Sequence, residues 1–467
     1  MKQAVLSLFL CGLALLWLLG CAQERIVTGA HHLSFSVDTL RLDTLYTRIS
    51  SSTSRLIVYN TSSEQMLLEH VALVQSSNFF RANVDGRAGA QFSDILIPAK
   101  DSIFVFVEAT FPEGASDLPE EEIATLRFQS GSLVDTIRIE AWRMNTDHAT
   151  ALQIERDTLF TGGRPLYLRD SLVVKEGVTL RMAAGTHILM ANSAHIEVHG
   201  RIEALGTLEN PIMIEGVRRD NLVKDVNYRL IPGQWEALRF YPSSRDNLLQ
   251  NTIVRNGRGG VIVEGATIRL EGCQITNMKG GAVSVVRGGK AALVNCELSN
   301  TLSHSLRLEG ASCNMCYTTI CNWYPFDLRQ GEAVSIVADS TGKESELHAE
   351  ASVVDGSMAN EVHCDEASLM RFNQCYIRGK GLGEGSIEAK LAADSTYTHV
   401  GRNLEKNEYD FIYDYRPLPK APFVARPTTD QTPLHDRFGV PRTASAAWGA
   451  YEPSEAKEPK EIGDDAH

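Results

Sequence analysis

"TIVRN" (Thr252 to Asn256), "CQITN" (Cys273 to Asn277), "CELSN" (Cys296 to Asn300) and "TTICN" (Thr318 to Asn322) write one phrase four times, with asparagines 21, 23 and 22 residues apart. Alternate positions match: Thr252, Cys273, Cys296 and Thr318 form one column, Val254, Ile275, Leu298 and Ile320 a second, and the asparagines a third. Successive side chains on a strand point to opposite faces, so the three columns share a face, which is expected to point inward. A repeat of this length with a strand in each copy is one coil of a β-helix, a unit that buries its apolar face only by stacking on its neighbours. Asparagine suits the corner because it tolerates the left-handed backbone region. Asn256, Asn277, Asn300 and Asn322 are therefore expected to form a structural ladder, each amide bonding those in the coils above and below. A buried amide without a partner costs about 1–3 kcal/mol, which makes the repetition informative.

The period runs in both directions. Downstream, "EASVVDG" and "NQCYIRG" read as two more coils with Asp355 and Gly379 at the corner, and the 33-residue step from Asn322 to Asp355 predicts an inserted loop around "DSTGKESE". Upstream, "VTLRMAAGTHILMANSAHIEVHGRIEALGTLENPIMIEG" is a succession of short strands punctuated by glycine and asparagine. The parallel β-helix is placed at 165–425, on the order of ten coils and roughly 50 Å of rod at the usual strand spacing. A leucine-rich repeat shares the length but would need denser leucines and intervening helices.

Before residue 144 the style changes. "LSFSVDTLRL", "RLIVYN", "FSDILIP", "DSIFVFVEATF", "IATLRFQS" and "DTIRIEAW" alternate apolar and polar residues and are separated by turns such as "NTSSEQ". Residues 33–143 are thus expected to form an immunoglobulin-like β-sandwich, read as a spacer, with 144–164 a polar linker or cap. The fold class is all-β. Thirty-six glycines and 7% aromatic residues fit short strands and tight turns, and the net charge of −13 argues against a nucleic-acid partner.

The N-terminus is not read as fold. Lys2 precedes an apolar run from Ala4 to Leu19, placed where a secretory signal sits. "LLGC", Leu18 to Cys21, resembles the lipobox of bacterial lipoproteins, which implies that residues 1–21 end in a lipidated Cys21 and that 22–32 form a tether. "CAQERIV" offers only Glu24 where surface-exported lipoproteins of this kind resemble one another in an acidic cluster, so the expected location is lipid-anchored in the outer membrane and periplasm-facing, with surface exposure the alternative. At the other end, 426–467 reads as a closing segment and a disordered acidic tail. Its phrase, Asp436, Gly439 and Arg442 followed by Gly449 to Glu452, resembles the ending of many bacterial right-handed β-helix proteins.

Together the lipobox, "DTLYT…LIVYN…FFRANVDG", "IPGQWEALRF" (Ile231 to Phe240), the asparagine corners and the Gly-Ala-Tyr-Glu ending resemble the right-handed parallel β-helix repeat lipoproteins of Bacteroides-type bacteria. The chain departs from that pattern at Glu236 and Ala237, where Gly-Gly usually follows Gln-Trp. In size and kind it is also similar to the plug subunits of type IX secretion translocons. The resemblance implies a non-catalytic scaffold or binding subunit, with an outer-membrane barrel or other envelope protein as partner.

The competing function is carbohydrate binding or polysaccharide cleavage. Cleavage on a β-helix needs paired carboxylates, or clustered acids holding calcium, on one strand face. Between 251 and 340 the aspartates are Asp327 and Asp339 alone, and no catalytic residue and no cofactor is expected. Cys313, Cys316 and Cys321 lack the second ligand pair of a zinc site; Cys273 and Cys296 read as small core residues, and a disulfide within 313–321 is allowed in an exported protein. His187, His195 and His199 on neighbouring strands read as scattered surface histidines rather than a metal site. "WYPF" reads either as a plug where the coil widens or as an aromatic platform for sugar or a protein, which makes Trp323, Tyr324 and Phe326, together with Trp235, the binding candidates. "GRGGV" and "VRGGK" are corner glycines without the Lys-Ser/Thr ending of a phosphate loop.

Overall fold

A computed structural model describes residues 25–223, 226–379, 383–403 and 408–454. Cys21, the rest of the leader and the tail from 455 lie outside the described residues. No described helix is long and apolar enough to cross a membrane. The chain divides into two compact units, 1–144 and 145–467.

The first unit is a β-sandwich. One sheet runs Ile26–Val27, Gln65–Gln75, Glu120–Ser130, Leu133–Met144, Thr39–Tyr46, with Gln91–Ile97 also paired to Gln65–Gln75; the other runs Ser34–Phe35, Ser54–Tyr59, Ser102–Ala109, Phe80–Val84, Arg87–Gly89. Alternation does the sorting: in Ser102–Ala109, Ile103, Val105, Val107 and Ala109 are buried while Phe104 and Phe106 face out. The inward residues of both sheets form one core with Leu56, Leu126, Phe128 and Ile139. The "NTSSEQ" turn is organised by buried Asn60, whose Nδ2 donates to the carbonyls of Glu64, Ile97 and Pro98 while its Oδ1 accepts from Ser62. The sheet begins earlier than Leu33, because Ile26–Val27 pairs in parallel with Gln65–Met66 in what reads as tether.

The second unit is a parallel β-helix whose coils begin before residue 165. Asp147–Ile154 pairs with Leu166–Val174, and Thr158–Phe160 with Thr179–Ala183, so most of the expected linker is the first coil. Its signal is masked because the register shifts between Ala149 and Ala151, which breaks the period that would expose Leu152, Ile154 and Phe160.

Each coil contributes strands to three parallel faces. The first includes Ile212–Gly216, Thr252–Arg255, Gln274–Met278, Glu297–Thr301, Thr319–Asn322, Val353–Gly356 and Tyr376–Ile377. The second includes His195–Val198, Leu238–Phe240, Val261–Glu264, Val283–Val286, Leu306–Glu309, Val334–Val337 and Val362–Cys364. The third runs from Thr158–Phe160 to Leu369–Asn373. Aliphatic columns line the bore: Val254, Ile275, Leu298, Ile320, Val354 and Ile377 stack in register and are buried. The insertion after Asn322 is split, with residues 323–333 leaving between the first and second faces and 338–345 between the second and third.

The asparagine corner stacks in the backbone as expected, but its amides do not. Asn256 N donates to Asn277 O (3.1 Å), and Asn256, Asn277 and Asn300 take φ of 70°, 55° and 51°. No hydrogen bond joins two of the four amides. Asn256 Nδ2 donates to the carbonyls of Arg229 and Ile231, Asn300 Oδ1 accepts from Tyr415, and Asn322 bonds Thr301 and Ser303 of the preceding coil. Asn277 is half-buried and its Oδ1 lies 3.4 Å from Thr276 Oγ1. The amides pin whatever packs against the corner, and that differs from coil to coil.

The column ahead of the asparagines is the more regular one. Thr252, Cys273, Cys296, Thr318, Ser352 and Cys375 each direct a hydroxyl or thiol to the carbonyl two residues earlier, at 2.8 to 3.5 Å. A small side chain with one donor is what the position requires, which accounts for these cysteines as core residues.

Candidate functional site

On the first face both sides of the strands are buried. The outward residues Gln274, Glu297, Ser299, Thr319, Cys321 and Asp355 are covered by a later part of the same chain, within residues 396–403 and 411–452. This strap carries the hairpin Tyr397–Asn403 and Glu408–Pro417 and then an irregular run to Glu452.

Its polar contacts are specific. The Tyr451 hydroxyl donates to Glu297 Oε2, and the other oxygen of that carboxylate accepts from Gln274 Nε2 (3.1 Å) and Ser299 Oγ (2.6 Å). Arg437 reaches both Tyr451 (3.3 Å) and Gln274 (3.5 Å). Farther along, Tyr397 donates to Asp355 Oδ2 (2.9 Å) while Arg378 holds Oδ1. Burial raises the pKa of Asp355, and the bond to Arg378 works against that rise. Burial also pushes the Tyr397, Tyr415 and Tyr451 hydroxyls well above the ordinary tyrosine value, so they serve here as donors.

The closing phrase owes its residue types to this packing. Asp436 Oδ1 accepts from the N–H groups of Phe438 and Val440 (both 2.8 Å), its Oδ2 from Glu452 N (2.8 Å), and Gly439 turns with φ of 82°. Arg442 lies 4.4 Å over the Tyr317 ring and pairs with Glu452 (3.1 Å). Gly449, at φ of 89°, lies flat on the coil; a Cβ there would sit 2.5 Å from Thr319 Oγ1 and 3.0 Å from Val353.

The expected binding aromatics separate. Trp235 is fully buried, with Nε1 donating to Arg255 O (2.8 Å), and is core rather than surface because its ring packs into the bore among the aliphatic columns. Trp323 is half-buried, stacked on Tyr415 (5.8 Å) and edge-on to Tyr397 (5.6 Å), where it wedges the strap. Tyr324 and Phe326 are half-buried and form a separate group, edge-on to each other at 5.9 Å, with Phe326 stacked on Phe411 at 5.4 Å.

Two more polar groupings stand out. In the first, Glu215 is buried on the first face and bonded by His187 (2.8 Å), Arg219 and Arg255. Burial alone would raise that carboxyl, yet Arg219 and Arg255 hold it well below the usual range, while burial lowers His187. Both shifts act in one direction. Each group binds fewer protons folded than unfolded, so the stability they contribute is present above the unfolded values and is lost as pH falls, first below 6.5 for His187 and then through the depressed Glu215 value. The thermal midpoint of the β-helix therefore drops on acidification from pH 7, and His187→Gln flattens the upper part of that drop in a melting series.

The second grouping is a cleft of about 290 Å³ on the second face, lined by His195, Glu197, Glu236, Ala237, Arg239, Gly259 and Ile262. It exists because Ala237 and Gly259 leave the floor low. Glu197 lies 3.9 Å from His195 and 3.8 Å from His199, and His199 stacks on Tyr241 at 4.3 Å. Glu236, where the related pattern has glycine, pairs with Arg258, and Arg239 pairs with Glu264. The three histidines are not assembled: His187 belongs to the first face and its Glu215. Among the described residues no group of three or more His, Cys, Asp or Glu is placed to hold a metal ion. Cys313 and Cys316 lie on the third face and Cys321 on the first, and all three are free thiols in this structure.

Residues 218–383 match the family described as right handed beta helix region. No curated protein matches the chain. Solved structures with some likeness include a family 123 glycoside hydrolase from Clostridium perfringens (12% identity, 25% of this chain and 26% of that one, TM-score 0.19). Others are a protein of unknown function from Porphyromonas gingivalis W83 (16%, 30% and 59%, 0.18) and the catalytic unit of a thermostable GH87 α-1,3-glucanase from Streptomyces thermodiastaticus strain HF3-3 (10%, 72% and 86%, 0.21). The chain thus spans about a quarter of the first of these, and similarities this low carry no argument about activity. The right-handed β-helix and the all-β class stand on the family match together with the parallel registers.

The strap and the cleft have no local signature in the sequence. One signal was available for part of the strap: outward positions on the third face carry charges such as Arg269, Glu271 and Lys290, whereas the first-face run Gln274, Thr276, Glu297, Ser299, Thr319 and Cys321 holds one charge among six, between the charged Arg255 and Asp355.

Proposed function

We propose that this chain is a non-catalytic envelope lipoprotein, tethered by lipid on Cys21 to the outer membrane and facing the periplasm. Its β-helix would serve as a stiff scaffold or binding subunit of an outer-membrane protein complex, in the sharpest form as the periplasmic plug of a type IX secretion translocon. The observation that carries the reading is the covered first face. Its carboxylates Glu215, Glu297 and Asp355 are each engaged by side chains of the same chain, so the face offers a ligand nothing to protonate or attack. A rod fixed along its length loses little conformational entropy on association, which favours a role in binding by shape.

Two experiments test this. Cys21→Ala is expected to abolish incorporation of labelled fatty acid and release the protein from the membrane fraction; unchanged labelling would refute the anchor. Purification from detergent-solubilised membranes is expected to bring down an outer-membrane barrel. A bare monomer that retains or shortens a glycan would instead support the carbohydrate reading, which the cleft at His195, Glu197, Glu236 and Arg239 favours with its mixed donors and acceptors.

A further inference from the structure

The chain has nine cysteines, and seven of them lie among the described residues as free thiols. Register separates one pair from the rest. Gln274 is the Cα partner of Glu297, and Glu297 N donates to Cys273 O (2.8 Å), so Cys273 and Cys296 occupy the same position on directly adjacent coils. Each of the other five stands against a residue of another type on the neighbouring rungs: Cys313 against Ala291 and Leu347, Cys316 against Val294 and Glu350, Cys321 against Ser299 and Asp355, Cys364 against Ile336, and Cys375 beside Ser352.

The side chains of the pair point the same way. Both are fully buried in the bore, where Cys273 Sγ donates to Leu249 O (3.1 Å) and Cys296 Sγ to Leu270 O (3.4 Å), carbonyls that are themselves register partners one coil apart. Adjacent strands lie about 4.8 Å apart. That is inside the roughly 4.4–6.8 Å between Cα atoms that a disulfide spans.

We propose that Cys273 and Cys296 are a cross-coil dithiol that closes to a disulfide by exchange with a small-molecule or protein disulfide before the coils pack. One thiolate attacks the donor disulfide and forms a mixed disulfide as the first donor thiol leaves; the second thiolate then displaces the other donor thiol. The protein loses two protons and two electrons, and the donor leaves as two thiols. Burial in the finished bore bars the same exchange in the native state, so the link is set during folding and is afterwards shielded from reductants. It encloses one complete coil and constrains the unfolded chain there.

The test is refolding of the reduced, denatured full chain in a mixture of glutathione disulfide and glutathione, followed by thiol alkylation and peptide mass spectrometry without reductant. The expected product is a peptide pair joined through Cys273 and Cys296, lighter by two hydrogens than the separate peptides and absent from Cys273→Thr. Threonine occupies this column at Thr252 and Thr318, so that variant keeps the fold and serves as the control. Recovery of both residues as alkylated thiols, as separate glutathione adducts, or spread among other pairings overturns the proposal. If the denatured chain does not refold, the exchange is run on native protein at the urea concentration that opens the coils, and the same outcomes decide.

Discussion

Replacing Arg329 with methionine is expected to lower the unfolding free energy of the β-helix by about 3–5 kcal/mol, the usual cost of stranding a buried charge. Glu361 is inaccessible to solvent and Arg329 nearly so. The guanidinium grips both carboxylate oxygens and also donates to the carbonyls of Asn322 (2.9 Å) and Gly331 (3.0 Å), while the carboxylate accepts from the backbone of Met358 (2.7 Å) and Ala333 (2.9 Å). The pair thus ties the loop after Asn322 to the next coil. In Arg329→Met the carboxylate stays in place without its counter-charge. The double variant Arg329→Met with Glu361→Leu removes both charges and recovers part of the loss, since apolar side chains of similar volume commonly replace buried pairs at little cost, while the N–H groups of Ala333 and Met358 still lose their acceptor. Urea denaturation of the three proteins checks this; a single variant as stable as the parent would show that the pair contributes nothing.

Gly449→Val is expected to detach the strap. A valine would have to hold a φ of 89° and place its Cβ on Thr319 Oγ1, so strain and overlap together exceed about 3 kcal/mol. The bonds nearest by go with it: Gly449 N to Ala351 O (2.8 Å), Ala450 N to Thr319 Oγ1 (2.9 Å), and the Tyr451 contact to Glu297. Limited proteolysis is the readout, with cleavage between 418 and 452 much faster than in the parent and the coils before residue 340 resistant in both. Equal resistance of the strap would mean that this glycine is not what seats it.

The repeat was legible because a strand repeats every two residues and a parallel coil brings each position onto its counterpart one coil later. Val254, Ile275, Leu298 and Ile320 satisfy both conditions, and no distant residue can change their inward direction. The amides of Asn256 and Asn300 were not legible, since each bonds a partner supplied by another part of the chain, a loop at Arg229 and Ile231 in one case and Tyr415 in the other. The same limit hid the strap: Tyr451 and Glu297 are 154 residues apart, and no local pattern joins them. Residues 144–164 failed for a different reason, because a register shift between Ala149 and Ala151 cancels the alternation on which strand recognition depends.

A stack in which every rung touches only the next would fray from its ends and melt gradually. The closing segment binds the rungs of Gln274, Glu297, Thr319, Asp355 and Tyr376 along a single path, so none of these can peel away without dragging the others. What would be a row of separable units melts, over those rungs, as one block, and its resistance to pulling depends on how firmly that segment is laced down.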